Sequence, residues 1–247
     1  MSLSSDLQDD SRLARDLVRQ TGELLLLAQR IASLTGKPLG GLGDALGQQF
    51  LSRSLQVLRP EDAILSEEAA DDHRRLESSR VWIIDPLDGT REYSEGRADW
   101  AIHVALVTDG VASVGAVALP ALDLVFDTAT PPSVPAAVNG VKIVVSRSRP
   151  PEVATRAAEA LGGELVAMGS AGAKTMAVVR GEAHAYVHAG GQYEWDSAAP
   201  AAVAQAAGLH VSRLDGSPLL YNRRDTYLPD LVVCRPELKD RLLAAVN

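Results

Sequence analysis

The chain of 247 residues lacks the means to be stapled by disulfides, to span a bilayer or to collect nucleic acid. A single cysteine, Cys234, rules out an intramolecular disulfide, and its place in the run Leu231-Val232-Val233-Cys234 reads as that of a small buried hydrophobe. The longest apolar stretch near the N-terminus, Leu24 to Ala28, is far too short to cross a membrane. Met1 to Asp10 carries serines and acidic residues with no basic stretch, so it does not read as a secretory leader, and a soluble cytoplasmic protein is the expectation. Basic residues are in deficit: 24 Lys and Arg against 32 Asp and Glu give a net charge of −8, leaving no positive field for a nucleic-acid backbone. Small phosphorylated substrates stay open, because a bound divalent cation inverts the local sign. What is present is ordinary for a globular protein, with 46% hydrophobic and 23% charged residues, and the length suits two closely packed halves.

Along the chain, apolar residues at Leu13, Leu17, Leu24, Leu27, Ala28 and Ile31 predict an amphipathic helix over Ser11–Leu34, ended by Gly36 and Pro38. Lys37 to Gly43 reads as a glycine-rich loop without the Gly-Lys-Ser/Thr ending of a P-loop, and Asp44 to Leu58 as a second helix. A short strand at Ala63–Leu65 precedes an acidic loop. Arg80 to Ile84 reads as a strand buried on both faces, stopping at Asp85-Pro86. Trp100–Val107, Val111–Leu119 and Leu122–Phe126 follow as antiparallel hairpins around Thr108-Asp109-Gly110 and Pro120-Ala121. Pro131, Pro132 and Pro135 mark a seam between two halves, 1–130 and 131–247. Beyond it, strands at Lys142–Val145, Glu164–Met168, Ala183–Val187 and Leu231–Cys234 alternate with helices at Glu152–Leu161, Ala171–Arg180, Ser197–Ala207 and Pro236–Val246, the pattern of an α/β layer arrangement.

The chemistry concentrates at Asp85-Pro86-Leu87-Asp88-Gly89-Thr90. Pro86 stiffens the backbone, Gly89 permits geometry and close approach that other residues resist, and two carboxylates flank the Leu87 carbonyl. That donor set suits a hard cation such as Mg²⁺; a turn capping the next helix is the bland alternative. Glu67-Glu68 follows a strand end and alone reads as a solvated acidic loop. Asp196 in Glu194-Trp195-Asp196-Ser197 alone reads equally as a helix N-cap. Together, Glu67, Asp85, Asp88 and Asp196 are four carboxylates near strand ends and helix starts. In one cleft they repel unless cations neutralise them. His73, His103, His184, His188 and His210 are read as satisfied or surface histidines, because hard cations prefer oxygen.

Trp82-Ile83-Ile84-Asp85-Pro86-Leu87-Asp88-Gly89-Thr90, Glu194-Trp195-Asp196-Ser197-Ala198-Ala199 and Leu65-Ser66-Glu67-Glu68 resemble the signatures of the inositol monophosphatase superfamily of lithium-sensitive, Mg²⁺-dependent phosphatases. The resemblance runs from about residue 10 to the C-terminus. It implies a layered α/β/α/β/α fold, with a mostly antiparallel N-terminal sheet carrying most metal ligands and a mixed α/β C-terminal half for substrate recognition. It implies two or three Mg²⁺ ions on Glu67, Asp85, the Leu87 carbonyl, Asp88 and Asp196, with phosphate contacts from Asp88, Gly89, Thr90 and Asp196. It further implies that Thr90, paired with Asp44, positions the attacking water. Glu67, Asp44 and Thr90 form the catalytic set. Where the family has Thr-x-x-Asp, this chain has Gly41-Leu42-Gly43-Asp44, read as a mobile loop that closes on substrate and metal.

Gly169-Ser170-Ala171-Gly172-Ala173-Lys174, Val145-Ser146-Arg147-Ser148 and Pro218-Leu219-Leu220-Tyr221-Asn222 resemble the 3′(2′),5′-bisphosphate nucleotidase branch of that superfamily. They imply substrate contacts from Ser146, Arg147, Ser170 and Lys174. Lys174 either holds a second phosphate as a point charge or faces solvent on its helix. The implied activity is Mg²⁺-dependent removal of the 3′-phosphate of adenosine 3′,5′-bisphosphate or its sulfated relative, a step linked to sulfate assimilation. Inositol-1-phosphate or fructose-1,6-bisphosphate hydrolysis is the sibling alternative, and a non-catalytic nucleotide- or metal-sensing module the alternative of another class. The expected partners are small phosphorylated molecules and a second copy of the chain, with no nucleic acid or membrane. Asp88→Asn is expected to remove turnover and leave the fold intact.

Overall fold

A computed structural model describes residues 3–136 and 140–247; Met1 and Ser2 of the acidic N-terminal stretch, and 137–139 beyond the proline seam, lie outside the described residues. Five layers stack in the order helices, sheet, helices, sheet, helices. Helices α1 (Leu3–Ile31) and α2 (Lys37–Leu58) cover one face of the first sheet. That sheet is formed by β1 (Ala63–Ser66), β2 (Arg80–Asp88), β3 (Ala101–Thr108), β4 (Val111–Leu119) and β5 (Leu124–Asp127) in sequence order, with β1 and β2 parallel and the rest antiparallel. A short helix, α3 (Thr90–Ser94), follows β2.

The second sheet has the order β7-β6-β8-β10-β9, from β6 (Val141–Ser146), β7 (Gly163–Met168), β8 (Ala185–Tyr193), β9 (His210–Ser212) and β10 (Tyr227–Cys234). Between the sheets lie α5 (Ala171–Val179) and α6 (Glu194–Ala206), while α4 (Glu152–Leu161) and α7 (Lys239–Val246) cover the outer face. The layered α/β/α/β/α arrangement is the one expected. Among the described residues no helix is long and apolar enough to cross a membrane.

Strand β2 belongs to a sheet covered on both sides, and its alternation shows why it is apolar on both faces. Val81 and Ile83 enter the core between the sheets, Trp82 and Ile84 the core beneath α1 and α2. Cys234 is fully buried on β10, as expected, and burial pushes its thiol up to about 12.

Three local expectations need correction. Helix α1 starts eight residues earlier than its apolar periodicity, because Asp10 is buried between Arg59 (2.8 Å) and Arg80 (2.9 Å), a tertiary anchor that hydrophobic spacing does not register. Strand β8 runs on to Tyr193 through a bulge at Gly190 and Gly191, both at positive φ. The largest correction concerns Lys37–Gly43, which is the opening two turns of α2 and not a mobile loop.

Two of the glycines that suggested a loop, Gly40 and Gly43, instead form a stripe with Gly47 on one face of that helix. A Cβ at Gly40 would lie 2.8 Å from Thr90 Cγ2, at Gly43 2.8 Å from Leu87 Cδ2, and at Gly47 2.9 Å from the Pro86 carbonyl oxygen. The stripe lets the α2 backbone touch the end of β2 and the start of α3. Gly47→Ala should therefore destabilise the protein by about 1–3 kcal/mol through overpacking, despite a helix-propensity gain of about 1 kcal/mol. Gly41→Ala on the same helix, with nothing within 4 Å of the added carbon, should stabilise by about 0.5–1 kcal/mol. Denaturant unfolding of the two variants checks both signs.

Candidate metal centre

Two carboxylates three residues apart on a regular strand would point to opposite faces. The β2–β3 ladder pairs Asp85 with His103 but Asp88 with Ala101, so β2 holds one extra residue across Pro86-Leu87. This bulge turns Asp85 and Asp88 to the same side, toward the N-terminus of α6. There Asp196 completes a triad whose carboxylate oxygens lie within 4.8 Å of one another. Glu67, at the end of β1, is exposed as a residue but turns its carboxyl inward against Asp85.

Asp88 is the pinned member. Ser170 Oγ donates to its Oδ2 (2.5 Å), the backbone N–H groups of Gly172 (2.7 Å) and Ala171 (3.1 Å) donate to its two oxygens, and His103 Nε2 lies 3.2 Å away. Burial works to raise its carboxyl. His103, Lys174 and Ser170 outweigh that and hold it down at about 2. The other carboxyls go the opposite way. Burial first, then their mutual repulsion, pushes Glu67 and Asp196 up to about 7 and Asp85 well above the carboxylate range. A cluster of oxygen donors that hold protons for want of a counter-charge fits a hard divalent cation.

Beside this nest, the glycine stripe of α2 delivers Asp44 to Thr90, whose Oγ1 donates to Asp44 Oδ1 at 3.0 Å and lies 3.2 Å from the Leu87 carbonyl oxygen. Burial lifts the Asp44 carboxyl to about 6; the Thr90 bond opposes the rise and the charge of Glu68 adds to it. Gly89 caps α3 at φ +91°, and a Cβ there would meet Ser170 and Trp100 at 3.3 Å.

The profile of the inositol monophosphatase family matches residues 42–247. The chain belongs to that family. The 3′-phosphoadenosine 5′-phosphate phosphatase of Mycobacterium leprae is 52% identical to it over 253 residues, covering 96% of this chain and 93% of that protein. The 3′(2′),5′-bisphosphate nucleotidase CysQ of Escherichia coli K12 is 30% identical, over 75% of this chain and 80% of that protein. Among solved structures, inositol monophosphatase II of Staphylococcus aureus superposes with a TM-score of 0.80 at 20% identity, over 93% and 92% of the two chains. CysQ of Bacteroides thetaiotaomicron superposes at 0.74 and 24% identity, over 92% and 97%.

Several residues that the family resemblance placed on the substrate have other engagements. Ser170 spends its proton on Asp88 and accepts the Ala173 N–H (2.9 Å), so it holds Asp88 and caps α5. Arg147 is clasped by Glu92 (2.7 Å) and Glu95 (3.0 Å), two carboxylates against one guanidinium, which leaves no net positive charge for a phosphate. Ser146 Oγ accepts the Arg149 N–H at 3.2 Å. Lys174 does not face solvent. It is 5% exposed, with Nζ donating to the carbonyls of Gly169 (3.1 Å) and Ser170 (2.5 Å) and lying 5.2 Å over the Tyr186 ring. Burial lowers its ammonium while Asp88 and Asp196 work to raise it, so its head is turned inward within electrostatic reach of the acidic nest.

His103 is the functional neighbour that the sequence reading passed over. Buried on β3, it stands with Nδ1 3.0 Å from the Trp195 carbonyl oxygen and Nε2 against Asp88, tying β2 to the start of α6. Gly172 makes the room: a Cβ there would lie 2.1 Å from His103 Nε2. The available signal was one polar residue in the inward row Ala101, His103, Ala105, Val107. Asp88 also accepts from the N-terminus of α5, so Asp88→Asn is expected to weaken that contact as well as the site.

The raised carboxyls link stability to pH. Between about 4 and 7 the folded, metal-free chain holds more protons on Glu67 and Asp196 than the unfolded chain does, so its stability falls as pH rises through that window. Divalent cation should reverse the loss. The Tm gain on replacing EDTA with Mg²⁺ should be several degrees larger at pH 8 than at pH 5. A gain equal at both pH values in calorimetric scans would rule this linkage out.

Proposed function

We propose that this chain is a Mg²⁺-dependent phosphoric monoester hydrolase acting on the 3′-phosphate of adenosine 3′,5′-bisphosphate, and on its sulfated relative. The observation that carries the reading is the carboxylate nest with the Thr90–Asp44 pair at its rim. The names of the M. leprae and E. coli relatives support the substrate. Two or three cations on Glu67, Asp85, the Leu87 carbonyl, Asp88 and Asp196 would supply Lewis acidity to the phosphoryl oxygens and acidify an attacking water.

The chain's own groups do the rest. Thr90 Oγ1, its proton directed at Asp44, keeps lone pairs free to accept from a water and orient it. Asp44 accepts the proton passed through the threonine hydroxyl, a role suited to a carboxyl that ionises near 6. Gly89 presents backbone without a side chain, so a phosphate can approach closely. Lys174, fixed beneath Asp88 and Asp196, adds positive charge where the phosphate's negative charge gathers. Cytoplasmic location, a role in sulfate assimilation and assembly as a homodimer belong to the same proposal, supported by the family resemblance.

A phosphate-release panel tests it. With Mg²⁺, adenosine 3′,5′-bisphosphate should turn over faster than inositol 1-phosphate or fructose 1,6-bisphosphate, and without divalent cation none should. Tight nucleotide binding without release would favour the sensing module instead. Asp44→Asn should lower kcat by about 10²–10⁴-fold with KM little changed, and the wild-type rate should fall as pH drops through about 6, where Asp44 takes up a proton. Asp85→Asn should abolish Mg²⁺-dependent release while raising the Tm of the chelated protein, because the amide is uncharged at every pH where the buried carboxyl must first take up a proton.

A further inference from the structure

Glu92 is a buried acid that neither the metal nest nor the hydrolysis described above uses. It lies on α3 two residues after Thr90, is 7% exposed, and accepts from Arg147 Nη2 at 2.7 Å. Glu95, which closes the end of the same helix, takes Arg147 Nη1 at 3.0 Å. The planar guanidinium thus forks across the end of α3, a geometry that a point charge does not reproduce. Burying the Glu92 carboxylate is costly, and without Arg147 that cost would stand unrelieved.

The partners of this clasp belong to different sheets. Helix α3 follows β2 of the first sheet, whereas Arg147 follows β6 of the second and donates its backbone N–H to the Met168 carbonyl, at the end of β7, at 3.1 Å. Gly169 and Ser170 come next in the chain. Glu92 packs so closely on Gly169 that a Cβ there would lie 2.3 Å from the Glu92 Cγ. The Gly169 N–H donates to Asp99 Oδ2 at 2.7 Å, its carbonyl accepts from Lys174 Nζ at 3.1 Å, and Ser170 donates to Asp88.

These contacts close a ring. It runs from Asp88 through Ser170 and Gly169 to Glu92, and back along α3 through Thr90 and Gly89. Gly89, at φ +91°, is a joint whose conformation local preference leaves free, so the aim of Thr90 relative to Asp88 must be fixed from outside it. On its other side α3 is tied to α1: Tyr93 Oη donates to the Leu25 carbonyl oxygen and Gln29 Nε2 to the Tyr93 carbonyl oxygen, both at 2.8 Å.

Resting on the phosphatase reading above, we propose that Glu92 and Arg147 are positioning residues for the hydrolysis. Their clasp closes the ring that fixes Thr90 relative to Asp88, and Arg147 engages α3 rather than the substrate.

The test is steady-state kinetics in saturating Mg²⁺ on adenosine 3′,5′-bisphosphate and adenosine 3′-monophosphate, at a temperature where circular dichroism shows each variant folded. Arg147→Met and Glu92→Met should each lower kcat by about 10- to 100-fold, the scale of a misplacement of about 1 Å, with KM little changed. The factor should be the same on both substrates. The double variant should do no worse than Arg147→Met, because it also removes the acid left without a partner. Arg147→Lys, which keeps the charge without the fork, should recover part of kcat. A merely structural pair would lower Tm and leave the kcat of the folded protein intact, and that result overturns the proposal. So does a rise in KM confined to the Arg147 variants and larger on the bisphosphate, the mark of a direct phosphate contact. Should Arg147→Met not fold, the double variant, which strands no charge, carries the same comparison. A wild-type protein that releases phosphate from neither nucleotide overturns the phosphatase reading and the clasp's catalytic role with it, whereas an active one whose variants follow either contrary pattern overturns the clasp alone.

Discussion

Like charges forced together at the junction of two sheets are the constraint on which this molecule depends. Two unit charges 4 Å apart repel by about 4 kcal/mol at the dielectric typical near a protein surface, a large share of the 5–15 kcal/mol that holds an ordinary domain folded. Asp85, Asp88 and Asp196 place carboxylate oxygens within 4.8 Å of one another. The fold answers in two ways. It fixes one charge, giving Asp88 the N-terminus of α5, the Ser170 hydroxyl, His103 and the buried Lys174. The remaining carboxyls are pushed up and hold their protons more tightly. An acidic pocket so arranged is suited to a cation, whose charge would relieve that repulsion.

Positioning follows from close backbone approach. The bulge at Pro86-Leu87 aims two carboxylates one way, and the stripe of Gly40, Gly43 and Gly47 brings α2 against it so that Asp44 meets Thr90. Gly172 likewise admits His103 to the nest, and Gly169 admits Glu92, whose side chain a Cβ would meet at 2.3 Å. The helices between the sheets are alanine-rich for a related reason: α5 and α6 are covered on both sides, and small side chains let both sheets lie near the acidic nest at their N-termini. The site is built by removing side chains as much as by adding them.

How much of this was legible varies by residue. Asp85, Asp88, Asp196 and Glu67 could be singled out because carboxylates at the ends of apolar runs are out of character for a core, and the apolar runs themselves placed nearly every strand and helix. The glycines of α2 misled because the same residue serves as a loop former and as a packing surface, and local sequence does not say which. His103 and Lys174 misled for a related reason. A polar residue on a strand or helix shows its partners only once the elements across from it are in place.

By itself, then, the chain's order of residues determined the layered α/β architecture and the set of acidic groups, because hydrophobic periodicity and residue chemistry are local properties. Tertiary structure alone decided that a one-residue bulge faces Asp85 and Asp88 the same way, that Lys174 points inward, and that Arg147 is neutralised by Glu92 and Glu95. Each of these depends on contacts between segments distant in sequence, whose geometry no local pattern encodes.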